Sequence, residues 1–85
     1  MKYEYVFTRA AVKDIEKLDS VVKKRIKQKL EFFIIQPDPL LVAKKLVNAK
    51  AGTYRWRVGD YRIIFDVDED KIVILQVQHR KNIYR

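Results

Sequence analysis

A two-layer α+β fold, in the order β-α-α-β-β-β with a helical hairpin packed on a mainly antiparallel sheet, is what this sequence predicts. Three observations predict it. Up to Ile35, apolar residues recur at helical spacing after a short alternating start. From Thr53 onward the alternation has the period of two that marks strands. Two turn-prone clusters, Gly59-Asp60 and Asp68-Glu69-Asp70, divide that stretch into three strands of an antiparallel meander.

Lys2 to Phe7 alternates and is rich in aromatic and β-branched side chains, so it predicts an opening strand. Thr8 offers a hydroxyl N-cap, after which Ala11, Val12, Ile15 and Leu18 follow helical spacing, predicting a helix to about Leu18. Asp19-Ser20 breaks that helix and caps the next. Val22, Ile26, Leu30 and Phe33 then give the inner face of a second helix to about Ile35, with Lys23, Lys24, Lys27 and Gln28 facing away. Pro37-Asp38-Pro39 stops it. Leu40 to Val47 has a short apolar rhythm and Asn48 to Thr53 is small and polar, which predicts a connector holding about one helical turn. The strands follow at about Thr53 to Val58, Tyr61 to Val67 and Lys71 to Gln78, with Trp56, Val58, Phe65, Val73, Leu75 and Val77 expected to supply the buried sheet face.

Residues 1–85 are read as one domain, of a size that buries roughly 60–65% of its unfolded surface. With no cysteine and one histidine, neither a disulfide framework nor a thiolate nucleophile is available, and a metal site or other cofactor is not expected. No stretch approaches the ~20 apolar residues of a membrane span, and the start does not read as a signal peptide, so a cytoplasmic protein is expected. A formal net charge of +8 favours a polyanionic partner, either nucleic acid or an acidic protein.

That charge is concentrated. Lys44, Lys45, Lys50, Arg55, Arg57 and Arg62 face one acid, Asp60, over the same span, and residues 71–85 hold no acid. Residues two apart on a strand share a face, at a spacing of about 6.6 Å, so Arg55 and Arg57 lie opposite Tyr54, Trp56 and Val58. Guanidinium groups make bidentate contacts with phosphate. The plainer alternative is a solvated strand face whose aliphatic stems cover core edges. The final segment, His79-Arg80-Lys81-Asn82-Ile83-Tyr84-Arg85, adds an imidazole that titrates near neutrality, more cations, and a ring that stacks on a base or anchors the chain. RNA brings its own nucleophile in the 2′-hydroxyl. A metal-free nuclease therefore needs to align that oxygen, assist its deprotonation, neutralise the phosphorane-like charge and protonate the leaving 5′-oxygen.

Tyr54-Arg55-Trp56-Arg57-Val58-Gly59-Asp60-Tyr61-Arg62-Ile63-Ile64-Phe65 followed by His79-Arg80-Lys81-Asn82-Ile83-Tyr84 resembles the RelE/ParE superfamily of type II toxins. The likeness spans essentially the whole chain, the Pro-bounded connector with Lys44-Lys45-Leu46 included. It implies a toxin held in a hetero-oligomer by a small, acidic or partly disordered antitoxin. In the RelE branch it implies an endoribonuclease that cuts messenger RNA in the ribosomal A site. Carried over by position, Arg55, Arg57, Arg62, Arg80 and Tyr84 are the catalytic set, with Lys44, Lys45, Lys50, Lys81 and Arg85 binding RNA around them. RelE itself has lysines where this chain has Arg55 and Arg57, and an arginine is a poor proton acceptor. The base is then His79, a desolvated Lys50, or the ribosomal RNA. Two other functions share the scaffold: a ParE-like poison of DNA gyrase, and a non-catalytic nucleic-acid-binding protein.

Overall fold

The computed structural model describes residues 3–45 and 54–79. Strand β1 (Glu4–Phe7) leads into helices α1 (Arg9–Glu16) and α2 (Ser20–Ile34). A 3-10 turn (Pro39–Val42) follows, then β2 (Lys44–Lys45), β3 (Tyr54–Val58), β4 (Tyr61–Asp68) and β5 (Lys71–His79). Both helices begin where short polar side chains satisfy their first N–H groups. The Thr8 hydroxyl accepts from the Ala11 N–H at 3.2 Å and Asp19 accepts from the Val22 N–H at 2.9 Å, caps worth about 1 kcal/mol each. The predicted connector resolves into two pieces. Asp38 accepts from the Leu40 N–H at 3.1 Å and starts the 3-10 turn, with Pro39 in the first turn where its missing N–H costs nothing. Lys44 and Lys45 then add a short strand that the sequence pattern did not show.

The sheet runs β1-β5-β4-β3-β2. β3, β4 and β5 form the expected meander, β2 pairs antiparallel with β3, and β1 runs parallel to β5. Parallel neighbours need a crossover, and here the crossover contains the helical hairpin, which is laid on one sheet face. Ala11, Ile26, Leu30 and Phe33 pack there against Trp56, Val58, Ile63, Phe65, Ile72, Ile74 and Val77. Trp56 lies between Phe33 and Phe65, with ring centroids 4.7 and 4.1 Å away. Its indole N–H donates to the Pro39 carbonyl at 3.3 Å, which pairs a buried donor and pins the 3-10 turn to β3.

One expectation about the core is corrected by β5. Val73 and Leu75 are half-buried, while Ile72 and Ile74 are fully enclosed and Val77 remains inward. The reason is a β-bulge: Ile64 pairs with Gln76 but Phe65 pairs with Ile74, so Leu75 is an extra residue that resets the alternation. The backbone groups near this irregularity turn to the first helix. The Leu75 carbonyl accepts from the Thr8 hydroxyl at 3.1 Å, and the Val77 N–H donates to Asp14 Oδ2 at 2.9 Å.

Candidate nucleic-acid interface

The sheet face away from the helices carries the arginines in rows. Directly opposed residues of an antiparallel pair point to the same side. The first row is Arg57, Arg62 and Gln78 across β3, β4 and β5, and the second is Arg55, Ile64 and Gln76. Gln78 donates to the Gln76 side-chain carbonyl, which fixes the amides beside the guanidiniums. Arg57 is exposed, whereas Arg55 and Arg62 are half-buried and engaged with their surroundings. The rows sit at the hairpin end, where Gly59 adopts φ 58° and Asp60 does not take a positive φ, the sign pattern of a tight two-residue turn with glycine first. That turn holds Arg57 and Arg62 in direct register. Two like charges so placed repel each other, and an anion between them removes the penalty.

The predicted residues do not all meet here. His79 is the last residue of β5, paired with Tyr61, and the two rings meet edge to face at 4.8 Å. Both line a cavity of about 230 Å³ with Asp14, Lys17, Leu18 and Val77. His79 is thus on the helix side of the sheet, across it from the arginine rows. Lys44 and Lys45 form β2, with Lys44 in register with Arg55. Lys50, Arg80, Lys81, Tyr84 and Arg85 lie outside the described residues. Gln76 and Gln78 are the members that sequence reasoning passed over. Their signal was present as a polar pair two residues apart on a strand otherwise rich in Ile and Val, and the bulge hid which face they share. Among the described residues, no group of three or more His, Cys, Asp or Glu is placed to hold a metal ion.

The family model described as "ParE toxin of type II toxin-antitoxin system, parDE" matches residues 5–84. A match of that extent decides the family. The chain is a type II toxin of the RelE/ParE superfamily. Toxin RelG of Mycobacterium tuberculosis is 36% identical to it over 87 residues, covering 100% of this chain and 99% of the relative. Toxin RelE3 of Methanocaldococcus jannaschii is 35% identical over 81 residues, covering 93% and 92%. Among solved structures, the toxin-antitoxin complex RelBE2 from M. tuberculosis contains a chain with TM-score 0.69 and 34% identity, covering 94% of the toxin and 100% of that chain. The RelE-RelB complex of Pyrococcus horikoshii OT3 contains one with TM-score 0.73 and 27% identity, covering 94% and 97%. The expected α+β fold, a helical hairpin on a mainly antiparallel sheet, matches these structures, in which two helices pack on a mixed sheet.

The toxin also has an apolar groove, about 350 Å³, on its helix side. Phe7, Val12, Ile15, Ile26 and Leu30 line it, and Lys23, Lys27 and Glu16 rim it. Burial first, and the Glu31 carboxylate second, raise the Tyr5 phenol in this groove above its ordinary pKa of 10.0. β1 beside it is an edge strand, paired on one side alone among the described residues. Among the described residues, no helix is long and apolar enough to cross a membrane.

Proposed function

We propose that the toxin is a metal-independent, ribosome-dependent endoribonuclease that acts in the cytoplasm, cutting messenger RNA in the A site and leaving a 2′,3′-cyclic phosphate and a 5′-hydroxyl. The register of Arg57 with Arg62, beside Arg55 and the paired glutamines, carries this reading. The guanidiniums neutralise the charge that builds on the phosphorane oxygens, and because they are fixed on strands they need no reorganisation at the moment of reaction. Gln76 and Gln78 retain amide groups suited to a 2′-hydroxyl or a base edge. In this reading Arg80 supplies a further phosphate contact, Tyr84 stacks on a base, and Lys44, Lys45, Lys50, Lys81 and Arg85 bind RNA. We favour Lys50 or the ribosomal RNA over His79 as proton acceptor, because His79 lies across the sheet from the arginine rows. A Lys50→Gln variant that loses the ascending, acid-side limb of the pH–rate profile would assign the base to the protein.

The partner in this reading is a cognate antitoxin, as the toxin-antitoxin complexes among the similar structures suggest, and the net charge of +8 suits one that is small and acidic or partly disordered. The groove suits an amphipathic segment whose acids meet Lys23 and Lys27, and the free edge of β1 suits an added strand. Incubation with programmed ribosomes and mapping of new 5′ ends tests the activity: cuts confined to A-site codons support it, and intact message refutes it. A gyrase-directed reading has one observation in its favour, the ParE description of the matching family model. Gyrase-linked DNA breaks with intact message would establish that reading instead.

A further inference from the structure

Helix α2 holds a second concentration of charge that the sheet face does not use. Between Asp19 and Glu31 it carries Lys23, Lys24, Arg25, Lys27 and Lys29 with no acid among them, and all five are exposed. None of the five forms an ion pair within the described residues. Beyond the capping Asp19, the helix gains little from its own electrostatics. Its first turn has no acid and its last turn no base, whereas the macrodipole favours acids at the start and bases at the end. Lys23 with Lys27, and Arg25 with Lys29, are like-charge neighbours one turn apart, which destabilises a helix. Stability gives no reason for this pattern, and an anionic ligand does.

The core positions Val22, Ile26, Leu30 and Phe33 fix which way each cation leans. Lys23 and Lys27 lean over the apolar groove that they line. Lys24, Arg25 and Lys29 lie on the outer surface and the opposite flank. Arg25 Nη1 stands 3.7 Å from where a Cβ on Gly59 would be, so this flank runs up to the β3–β4 turn. Phe32 is half exposed, and the Lys29 ammonium lies 5.6 Å from its ring centroid.

We propose that Lys24, Arg25 and Lys29 contact the phosphate backbone of a folded, double-helical RNA. The contact is on the layer opposite the arginine rows, so the toxin grips structured RNA by its helix while offering its sheet to a single strand. This rests on the RNA reading of the sheet face. An acidic protein segment finds its apolar seat on the other flank. On the outer flank Arg25 and Lys29 are spaced by about 6 Å along the axis, an arrangement suited to a repeating backbone charge. Duplex RNA is recognised in this way, through shape and phosphates.

The test is fluorescence anisotropy with a synthetic RNA duplex of about 20 base pairs, titrated at several salt concentrations with the full-length toxin. Lys24→Gln/Arg25→Gln/Lys29→Gln should weaken duplex binding at least ~10-fold at low salt and lower the log–log salt slope by about 2 to 3, since each lost phosphate contact removes roughly 0.7–0.9. Its melting temperature should stay level or rise, because repulsion is relieved. The control Arg9→Gln/Lys13→Gln/Lys71→Gln removes the same charge elsewhere and should leave the slope intact. Equal loss in both variants would overturn the proposal, as would unchanged duplex binding or a loss confined to antitoxin affinity. Arg57→Gln separates the two readings: a normal duplex slope in that variant supports a distinct helix site whether or not message cleavage is found.

Discussion

Replacing Arg57 with Gln should move activity and stability in opposite directions, and both magnitudes follow from one register. Arg57 is exposed and stands directly across from Arg62, so the folded state carries a like-charge pair that costs about 0.2–1 kcal/mol before the other contacts of Arg62 are counted. Neutralising one member recovers that amount. For a domain of this size the gain corresponds to a melting temperature higher by about 1–6 °C. In the proposed reaction the same change removes a fixed positive group from the face where charge would develop on phosphorus. Loss of one such contact raises the barrier by about 2.7–4 kcal/mol, or 10²–10³-fold in kcat. Cleavage of ribosome-held message under single-turnover conditions measures the first effect, and thermal unfolding followed by circular dichroism measures the second. Cleavage within threefold of the parent, with the expected gain in stability, would show the pair to be a solvated strand face and refute the catalytic reading.

Other perturbations test the scaffold and the assignments around it. Glu69 has φ 57°; glycine there should raise stability by about 0.5–1 kcal/mol in denaturant unfolding by removing the left-handed strain. Leu30→Ala hollows the enclosed helix–sheet interface and should cost about 2–5 kcal/mol in the same assay. Asp14→Ala strips the Val77 N–H of its acceptor and should destabilise by about 1–3 kcal/mol, with faster hydrogen exchange at Val77 as its local signature. His79→Phe preserves a ring against Tyr61 and should keep cleavage within about tenfold, an order of magnitude below the loss on removing a transition-state contact; a hundredfold loss would return His79 to the catalytic set. The Tyr5 phenol titrates above 10.0 in the folded toxin, so its share of stability is full below pH 10 and is lost as the pH rises through the folded value. Ultraviolet titration should show it ionising late, and Glu31→Gln should bring it earlier.

Much of this architecture was legible in the residues because local chemistry and fold agree. Thr8 and Asp19 read as caps and are caps, Gly59-Asp60 reads as a hairpin and is one, and the 3.6-residue spacing of Val22, Ile26, Leu30 and Phe33 gives the inner face of α2. What escaped the reading depends on partners remote in sequence. The bulge at Leu75 is supported by Thr8 and Asp14, more than sixty residues away, and no period-two pattern announces it. It misassigned Val73 and Leu75 and concealed the glutamines. The side of the sheet on which His79 falls follows from its strand phase, which its chemistry alone does not reveal. Strand β2 is too short for any alternation to appear.

β5, the last of the described strands, lies inside the sheet, with β1 on one side and β4 on the other. A nascent chain that has not yet emitted Lys71 lacks Ile72, Ile74 and Val77, leaves β1 with no neighbour, and cannot seat α1. Closing a loop of that length precedes any reward from packing, so the two layers are joined only once β5 has been made. A toxin organised in this way keeps its core open until that single strand arrives.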